Sequence, residues 1–369
     1  MKLLQILYPG LGGHSSVAFS LIEADEECFY NHSLLGFGIE EPSEMFITKA
    51  NELNVEFENV RKKKGFDFAS QKRVYRLLKK QKPNYMIVHN TSLVFVVFLY
   101  SLFHKVKWLM VEHQSNHAKT KIDWIYSLFI LLLSPKIVYL TELYKSEIKS
   151  KFRCLVCDKK IQTIPNGINT KKFYPNEKKL DNKELVFSMI SRLTPLRDHK
   201  TLIEAVEEVA KTHPCKLYIA GDGDTKPELM EMVKKRKLEN LVHFTGKLDE
   251  DEVVDLLHKT DIYIHSSLAE TLSTSLLQVM ACKVPIIATN IKGINNLLID
   301  GKEAMLFEVG DSNRIKSNII YMVENKWFVD SLIEKSYNKL VSQYNNRSLL
   351  RKYMDFIDKK NNKSRFCRY

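Results

Sequence analysis

Short apolar runs alternate with longer amphipathic segments through most of the chain, and the alternation is clearest after residue 184. Six runs of four to six residues predict strands, at Leu185–Ile190, Lys216–Ala220, Val242–Thr245, Ile262–His265, Val284–Ala288 and Met305–Glu308. A helical period between and after them predicts helices at His199–Thr212, Thr225–Arg236, Asp249–Lys259, Thr274–Ala281, Ile294–Ile299 and Ser312–Glu324. This spacing is typical of right-handed βαβ units and a parallel sheet.

The first half of the chain has the same alternation in a less regular form. Strands are predicted at Leu3–Tyr8, Tyr85–His89, Trp108–Val111 and Ile137–Thr141. Helices are predicted at Ser15–Ala24, Asp67–Lys80 and Glu142–Phe152. Residues 26–60 have no clear period, and we interpret them as irregular α/β structure.

The pattern breaks at residues 164–167, and a polar, lysine-rich stretch follows before the alternation resumes. At 369 residues the chain also exceeds the size at which one core keeps growing. We therefore predict an α/β fold of two Rossmann-like, doubly wound parallel-sheet domains, 1–165 and 184–345, with a linker at 166–183. Residues 346–369 are predicted to form a helix that returns toward the first domain and a basic tail. A cleft between the domains is the expected site, because such sheets bind ligands at the carboxyl ends of their strands.

Positive charge is concentrated in one window of the first half. The formal net charge is +12, and residues 61–82 hold ten Lys/Arg against one acid, Asp67. Such a patch fits a polyanion, such as an anionic membrane, a phosphorylated lipid or nucleic acid, and a solvated helix face is an equal alternative. The apolar stretches Leu93–Phe103 and Trp124–Leu133 are shorter than the roughly 18–20 residues that span a bilayer, which favours buried helices over membrane-dipping ones.

The cysteines and the start of the chain limit the choices further. Of six cysteines only Cys154 and Cys157 form a CxxC pair, which favours reduced thiols over a zinc or redox site, and no metal site is predicted. The chain starts with a predicted strand and lacks a signal-peptide pattern, so we expect a cytoplasmic protein.

A first glycine cluster at residues 10–13 joins a predicted strand to a predicted helix. Glycines allow the backbone to approach a phosphate or sugar closely, and a helix start supplies partial positive charge. Gly12 and Gly13 are therefore candidates for ligand contact, and a tight βα turn is the alternative. Ser15 stands where a dinucleotide-binding fingerprint needs Gly or Ala, so that class is a poor match.

A second glycine cluster, at residues 221–224, contains the pattern Asp-x-Asp. Two carboxylates at this spacing can hold a metal on a diphosphate. The position between strand and helix favours a structural turn instead, with Asp224 capping the helix that begins at Thr225.

Two arginines follow the first strand of the second half. Arg192 and Arg197 lie on the loop that leaves Leu185–Ile190, where both can reach the carboxyl edge of a parallel sheet. Guanidinium groups suit a diphosphate because they are always charged and carry forked donors. Exposed surface arginines are the alternative.

The segment from Ser266 to Ala281 contains a carboxylate, several hydroxyl residues and a predicted helix. Glu270 lies before the helix, and the free amides of the helix start, near Thr274 and Ser275, can bind a phosphate. Gln278 shares a face with Thr274 because four residues separate them.

These segments in series resemble glycosyltransferase family 4, the retaining glycosyltransferases with the GT-B fold. The resemblance rests on five segments in the family's order, namely Gly12-Gly13, Glu112-His113, Pro165–Asn169 with Phe173, Arg192–Arg197, and Glu270–Ala281 followed by Pro285–Thr289.

The resemblance implies transfer of a sugar from a UDP- or GDP-sugar to a glycan or a polyprenyl- or lipid-linked acceptor, as in polysaccharide, lipopolysaccharide or capsule assembly. It implies retention of anomeric configuration and neither a metal nor a cofactor besides the donor. An anionic membrane surface is then the natural partner of the basic window. Nucleic acid is not expected, since the chain has no binding motif or aromatic stacking platform for it.

The resemblance also implies roles for individual residues. Arg192 and Arg197 would neutralise the diphosphate, and Glu270 would contact hydroxyls of the donor sugar. The other assigned residues are Gln278 at the ribose, His113 near the transferred sugar on the acceptor side, and Gly12-Gly13 near the diphosphate.

Two positions depart from the family pattern. Ser191 replaces a common glycine, and Gln278 replaces a glutamate, although a glutamine can still hydrogen-bond ribose hydroxyls. A non-catalytic sugar-nucleotide-binding homologue and a GT-B epimerase or phosphorylase therefore stay open as alternatives.

Overall fold

The computed structural model describes residues 1–359 except 10–12, 66, 114–115, 117–118, 154, 177–183 and 271. The chain forms two compact units. The first contains Met1–Asn169 and the chain from Asn346 onward, and the second contains Thr170–Asn345. Residues 177–183 of the predicted linker and the predicted basic tail from residue 360 lie outside the described residues, as do Gly12 and Cys154.

The first unit is built on a seven-stranded parallel sheet of order β3-β2-β1-β4-β5-β6-β7. Its strands are β1 (Lys2–Leu7), β2 (Asn31–Gly38), β3 (Glu56–Arg61), β4 (Tyr85–Val88), β5 (Lys107–Glu112), β6 (Ile137–Tyr139) and β7 (Ile161–Thr163). Its helices are α1 (Gly13–Glu23), α2 (Glu44–Glu52), α3 (Phe68–Gln81), α4 (Val94–Phe103), α5 (Lys121–Leu133), α6 (Glu142–Lys151) and, from the end of the chain, α14 (Asn346–Asp358).

Helices cover both faces of this sheet. One core contains buried residues of α3–α6, such as Val74, Val97 and Ile130, together with Ile6 and Met86 of the strands. Another contains α1 and the apolar face of α14, with its buried residues Leu349, Leu350, Tyr353, Met354, Phe356 and Ile357. The C-terminal helix is thus an integral part of the first unit.

Residues 26–60, interpreted from the sequence as irregular, form the regular unit β2–α2–β3. The sequence of β3 does not show the apolar alternation of a strand, because β3 lies at the sheet edge and only Val60 of its six residues is buried. Charged side chains on an edge strand suppress unwanted pairing, and they also remove the alternation by which strands are recognised.

The second unit is built on a six-stranded parallel sheet of order β10-β9-β8-β11-β12-β13. Its strands are β8 (Leu185–Ile190), β9 (Cys215–Ala220), β10 (Val242–Gly246), β11 (Ile262–His265), β12 (Ile286–Thr289) and β13 (Met305–Phe307). Its helices are α7 (His199–Ala210), α8 (Lys226–Lys235), α9 (Glu250–Lys259), α10 (Thr274–Ala281), α11 (Lys292–Asn295), α12 (Ser312–Glu324) and α13 (Lys326–Gln343). Two doubly wound parallel sheets confirm the predicted fold class.

The prediction that Asp224 caps α8 is wrong. The N-cap residue is Thr225, whose side chain makes no capping bond. The loop is instead fixed through its backbone, because Leu193 accepts a hydrogen bond from the Thr225 amide at 3.1 Å and donates one to Asp222 O at 3.0 Å.

The two apolar stretches of the first unit form α4 and α5, and each buries only one face. Val94, Val97 and Tyr100 are buried, whereas Leu102 and Phe103 are 60% and 71% exposed. Across all residues that the structure describes, no helix has both the length and the apolar character needed to cross a bilayer.

Candidate active site

Three neighbouring strands of the second unit, β8, β11 and β12, end at one edge of the sheet. Because the strands are parallel, the loops that follow them meet there. These loops contain the arginines, the carboxylate and the start of α10 that the sequence marks as candidates.

The loop after β8 is packed tightly onto the second glycine cluster. A Cβ on Gly221 would lie 1.9 Å from the carbonyl oxygen of Ser191, and one on Gly223 would lie 2.2 Å from that of Leu193. Both glycines also have positive φ angles, of 137° and 155°. The cluster is therefore structural, as predicted, and it fixes the backbone on both sides of Arg192.

Ser191, which stands where the resemblance described above expects a glycine, is accommodated by a hydrogen bond. Its Oγ lies 3.0 Å from Nε2 of the buried His199. Burial lowers the pKa of His199 to about 4, so this ring is neutral at pH 7. The substitution adds a polar contact beneath the loop without placing a charge there.

The side chain of Arg192 is exposed, and it makes no ion pair or hydrogen bond to the described residues. Its backbone, by contrast, is held between Ser191 and Leu193. A fixed backbone with an open guanidinium group is suited to binding an anion that arrives from solution.

The guanidinium group of Arg197, unlike that of Arg192, is bound to neighbouring residues. Nη2 pairs with Glu270 Oε2 at 3.0 Å, and Nη1 donates to Ser267 Oγ at 2.5 Å and to Ala269 O at 2.6 Å. The side chains of Arg197 and Glu270 are only 16% and 8% exposed. Arg197 therefore holds the loop of Glu270 in place, and its guanidinium group makes three contacts within the protein.

The carboxylate of Glu270 has a further partner from the preceding strand. His265 Nε2 lies 3.1 Å from Glu270 Oε2, and His265 Nδ1 lies 3.3 Å from the hydroxyl of Tyr263. Burial raises the pKa of Tyr263 to about 12, so its hydroxyl keeps its proton. The same hydroxyl donates to the backbone oxygen of Ile190 at 3.2 Å, so His265 contacts Glu270 through one ring nitrogen and a hydroxyl fixed by β8 through the other.

Gly293, in the short helix α11, packs directly on the backbone of Glu270. A Cβ at this position would lie 1.9 Å from Glu270 O and 2.4 Å from its carbonyl carbon. No side chain fits there unless the Glu270 loop moves. The pattern of apolar positions contains no sign of this contact.

The start of α10 lies directly after this loop. Ser273 is the N-cap and accepts a hydrogen bond from the Leu276 amide. The amides of Thr274 and Ser275 donate to no other part of the described structure, so they are free to bind an anion. Gln278 is half-buried one turn further on, and its amide group also has no partner among these residues.

In the first unit, His113 follows β5 and belongs to a cluster of three histidines. His113 Nε2 lies 2.8 Å from His89 Nδ1, and the His14 ring lies 4.2 Å from the His113 ring between centroids. Burial lowers the pKa of His14 to about 4 and lowers those of His89 and His113 well below 6.5. The three rings are therefore neutral at pH 7. Gly13 is the first residue of α1.

The residue before His113, Glu112, forms a buried ion pair. Lys119 Nζ lies 2.5 Å from Glu112 Oε1, and Ser127 Oγ donates to the same oxygen at 2.5 Å. Both charged side chains are 3% exposed or less. Glu112 thus joins the end of β5 to Lys119 and to Ser127 of α5, and loss of one partner of the ion pair would leave a buried charge without its counter-ion.

The sequence marked His113 and Glu270 but missed the residues that hold them. Gln5, His89 and His265 are buried polar residues in or directly after predicted strands, and a polar residue in an apolar strand was the available signal.

The similarity to solved structures defines the class of fold. The chain superposes on Anabaena Alr3699/HepE, solved in complex with UDP and glucose, with a TM-score of 0.81 at 15% sequence identity. The match covers 98% of this chain and 100% of that one. Two Rossmann-like units with this topology are the GT-B fold of glycosyltransferases.

The family matches then identify the chain. The family model "Glycosyltransferase Family 4" matches residues 12–172, and "Glycosyl transferases group 1" matches residues 170–339. The chain belongs to these GT-B glycosyltransferases. Its sequence is 28% identical over 285 residues to the uncharacterized glycosyltransferase MJ1069 of Methanocaldococcus jannaschii, covering 73% of this chain and 72% of that protein. It is 25% identical over 279 residues to alpha-monoglucosyldiacylglycerol synthase of Acholeplasma laidlawii, covering 70% and 68%.

Proposed function

We propose that this glycosyltransferase moves a hexosyl group from a UDP- or GDP-sugar to a lipid-linked or glycan acceptor in cell-surface polysaccharide assembly, with retention of configuration and without a metal. The observation that carries the donor assignment is the carboxylate of Glu270, held by Arg197 and His265 on the loop after β11, with the open guanidinium group of Arg192 on the loop after the neighbouring strand β8. The UDP in the HepE structure, whose fold this chain shares, supports the same donor class.

In this proposal the chemical difficulty is the departure of a nucleoside diphosphate while positive charge grows on the anomeric carbon. Arg192 and the free amides of Thr274 and Ser275 would stabilise the negative charge that develops on the leaving phosphate. Only interactions that strengthen in the transition state increase the rate. The guanidinium group of Arg192 has no partner among the described residues, so it is available for such an interaction.

The other assigned residues would act by orientation. Glu270 would accept hydrogen bonds from donor-sugar hydroxyls, and Arg197 would keep its carboxylate in place. Gln278 would bind the ribose, Gly12-Gly13 would approach the diphosphate, and His113 would contribute from the acceptor side.

A panel of sugar nucleotides tests the donor assignment. UDP-glucose, UDP-galactose, UDP-N-acetylglucosamine and GDP-mannose are each added while thermal unfolding is followed. A ligand at a hundred times its Kd stabilises the folded state by about 2.7 kcal/mol, so the true donor class is expected to raise the unfolding temperature by several degrees. No shift with any of them would contradict the proposal.

Product analysis by mass spectrometry then separates the alternatives. A glycosylated lipid or glycan supports transfer. A stabilising donor that stays intact identifies the non-catalytic homologue, and an isomerised sugar or a sugar phosphate identifies the epimerase or phosphorylase.

For the acceptor we propose a lipid-linked substrate reached at an anionic membrane surface. On α3 the residues Lys72, Arg73, Arg76, Lys79 and Lys80 are exposed, opposite the buried Val74 and Leu78. Neighbouring α4 and α5 expose a set of large apolar side chains, namely Phe95, Leu99, Leu102, Phe103, Ile122, Ile125 and Leu132. A basic helix beside exposed apolar side chains complements the charge and the interior of an anionic bilayer.

Liposome sedimentation tests this membrane proposal. Each lysine or arginine at an anionic surface contributes about 1 kcal/mol, so Lys72→Gln/Arg76→Gln/Lys79→Gln is expected to weaken binding to phosphatidylglycerol-containing vesicles about 100-fold. The matched control Lys234→Gln/Lys326→Gln/Lys335→Gln removes three exposed lysines of the second unit. Equal binding of both variants, or equal binding to neutral vesicles, would contradict membrane docking by this surface.

A further inference from the structure

A fully buried glutamine at the centre of the first sheet begins a chain of hydrogen bonds that ends at His113. Gln5 of β1 is 0% exposed, and its Nε2 donates to the carbonyl oxygen of Ala18 in α1 at 3.1 Å. A backbone carbonyl can only accept a hydrogen bond, so the amide nitrogen of Gln5 must face Ala18. The amide oxygen of Gln5 then faces His89.

The orientation of Gln5 determines the tautomer of His89. Gln5 Oε1 lies 3.2 Å from His89 Nε2. Since an amide oxygen carries no proton, His89 must carry its hydrogen on Nε2 and donate it. The reverse tautomer would place two lone pairs against each other in a buried site, where an unmade hydrogen bond is costly.

The tautomer of His89 in turn determines that of His113. His89 Nδ1 is left with a lone pair, and it lies 2.8 Å from His113 Nε2. Two facing lone pairs are again excluded, so His113 must carry its hydrogen on Nε2. His113 Nδ1 then presents a lone pair, and it has no hydrogen-bond partner among the residues that the structure describes.

We propose that Gln5 and His89 are positioning residues that hold His113 as its Nε2–H tautomer, so that His113 Nδ1 accepts a hydrogen bond from a hydroxyl of the sugar substrate. The proposal rests on the proposed function, because it assigns His113 to the sugar. The ring of His14, packed on that of His113, opposes rotation that would exchange the ring nitrogens. Burial keeps the rings neutral, so the chain of donors and acceptors is maintained at pH 7.

Nitrogen-15 NMR of ring-labelled histidine tests the tautomer in the free protein, with the signals of His113 identified by their loss in His113→Ala. The wild-type protein is expected to show one tautomer, protonated at Nε2. Gln5→Met has a similar volume but lacks the amide, and it is expected to give a mixture of tautomers and a kcat lower by about tenfold. The matched control is Gln71→Met, which removes the other buried glutamine among the residues that the structure describes in this unit, bonded to Ser92 O; it should change neither.

A second variant keeps the test decisive if Gln5→Met does not fold. His89→Gln offers an amide oxygen to His113 and is expected to preserve the Nε2–H tautomer, whereas His89→Leu is expected to lose it. An Nδ1–H tautomer in the wild-type protein, or a Gln5→Met spectrum identical to that of the wild type, would overturn the proposal. The NMR result does not depend on turnover, so a protein with the expected tautomer but no transfer would contradict the proposed function and not the hydrogen-bond chain.

Discussion

Replacing Arg192 by alanine is expected to lower kcat by about 10²–10³-fold, the loss that follows removal of one donor at a developing negative charge. The unfolding temperature should stay the same, because the guanidinium group is exposed and leaves no buried partner behind among the described residues. The backbone of the loop should also be unaffected, since Gly221 and Gly223 hold it through main-chain contacts. The measurement is steady-state transfer with the donor identified by the stabilisation panel.

Arg314→Ala is the matched control for this experiment. Arg314 is also an exposed arginine of the second unit without a side-chain partner in the described structure, but it lies on α12. Its loss should leave kcat unchanged. Arg192→Lys should give an intermediate rate, because a lysine keeps the charge and loses the forked donors. Full turnover by Arg192→Ala would mean that the leaving diphosphate is stabilised elsewhere.

The two arginines that the sequence grouped together have different surroundings. The sequence places both on one loop after β8 and predicts one shared role. The structure leaves Arg192 open and ties Arg197 to Glu270, Ser267 and Ala269. This difference depends on an isolated antiparallel bridge between Arg197 and Ser267, which are seventy residues apart. Contacts at such a separation leave no periodic signal in the sequence.

The fold of the second unit was largely predictable because its signals are local. Each of its six strands begins and ends within two residues of the predicted position. Buried parallel strands are continuous apolar runs, and the helices between them have one apolar face. The first unit was harder because its edge strand β3 is charged and β2 contains glycines at 36 and 38.

The candidate site was predictable only in part, for a related reason. A loop that follows a parallel strand must lie at the carboxyl edge, so the positions of Glu270 and His113 followed from topology, whereas the role of His113 came only from the family resemblance. The residues that support them act through contacts between distant segments. Gln5 hydrogen-bonds to His89, which is 84 positions away in the sequence. Gly293 packs closely on the backbone of Glu270 because it has no side chain.

Gly293→Ala is expected to lower kcat about 100-fold although it removes no functional group. The added methyl would lie 1.9 Å from the carbonyl oxygen of Glu270, and backbone atoms cannot move aside as a flexible side chain can. The Glu270 loop must therefore move by about 1 Å, a displacement that costs on the order of 10²-fold when it affects a substrate-positioning group. Overpacking should also destabilise the unit by about 1–3 kcal/mol.

Because Gly293→Ala changes stability as well as position, its control must separate the two effects. Gly301→Ala meets no atom within 4 Å, but it forces an alanine into a φ of 68°, which costs about 1–2 kcal/mol. Both variants should lose a similar part of the free energy of unfolding, measured by urea denaturation, and only Gly293→Ala should lose turnover at a temperature where both are folded. Equal activity of the two variants would show that the close approach of Gly293 to Glu270 serves the packing of the loop alone.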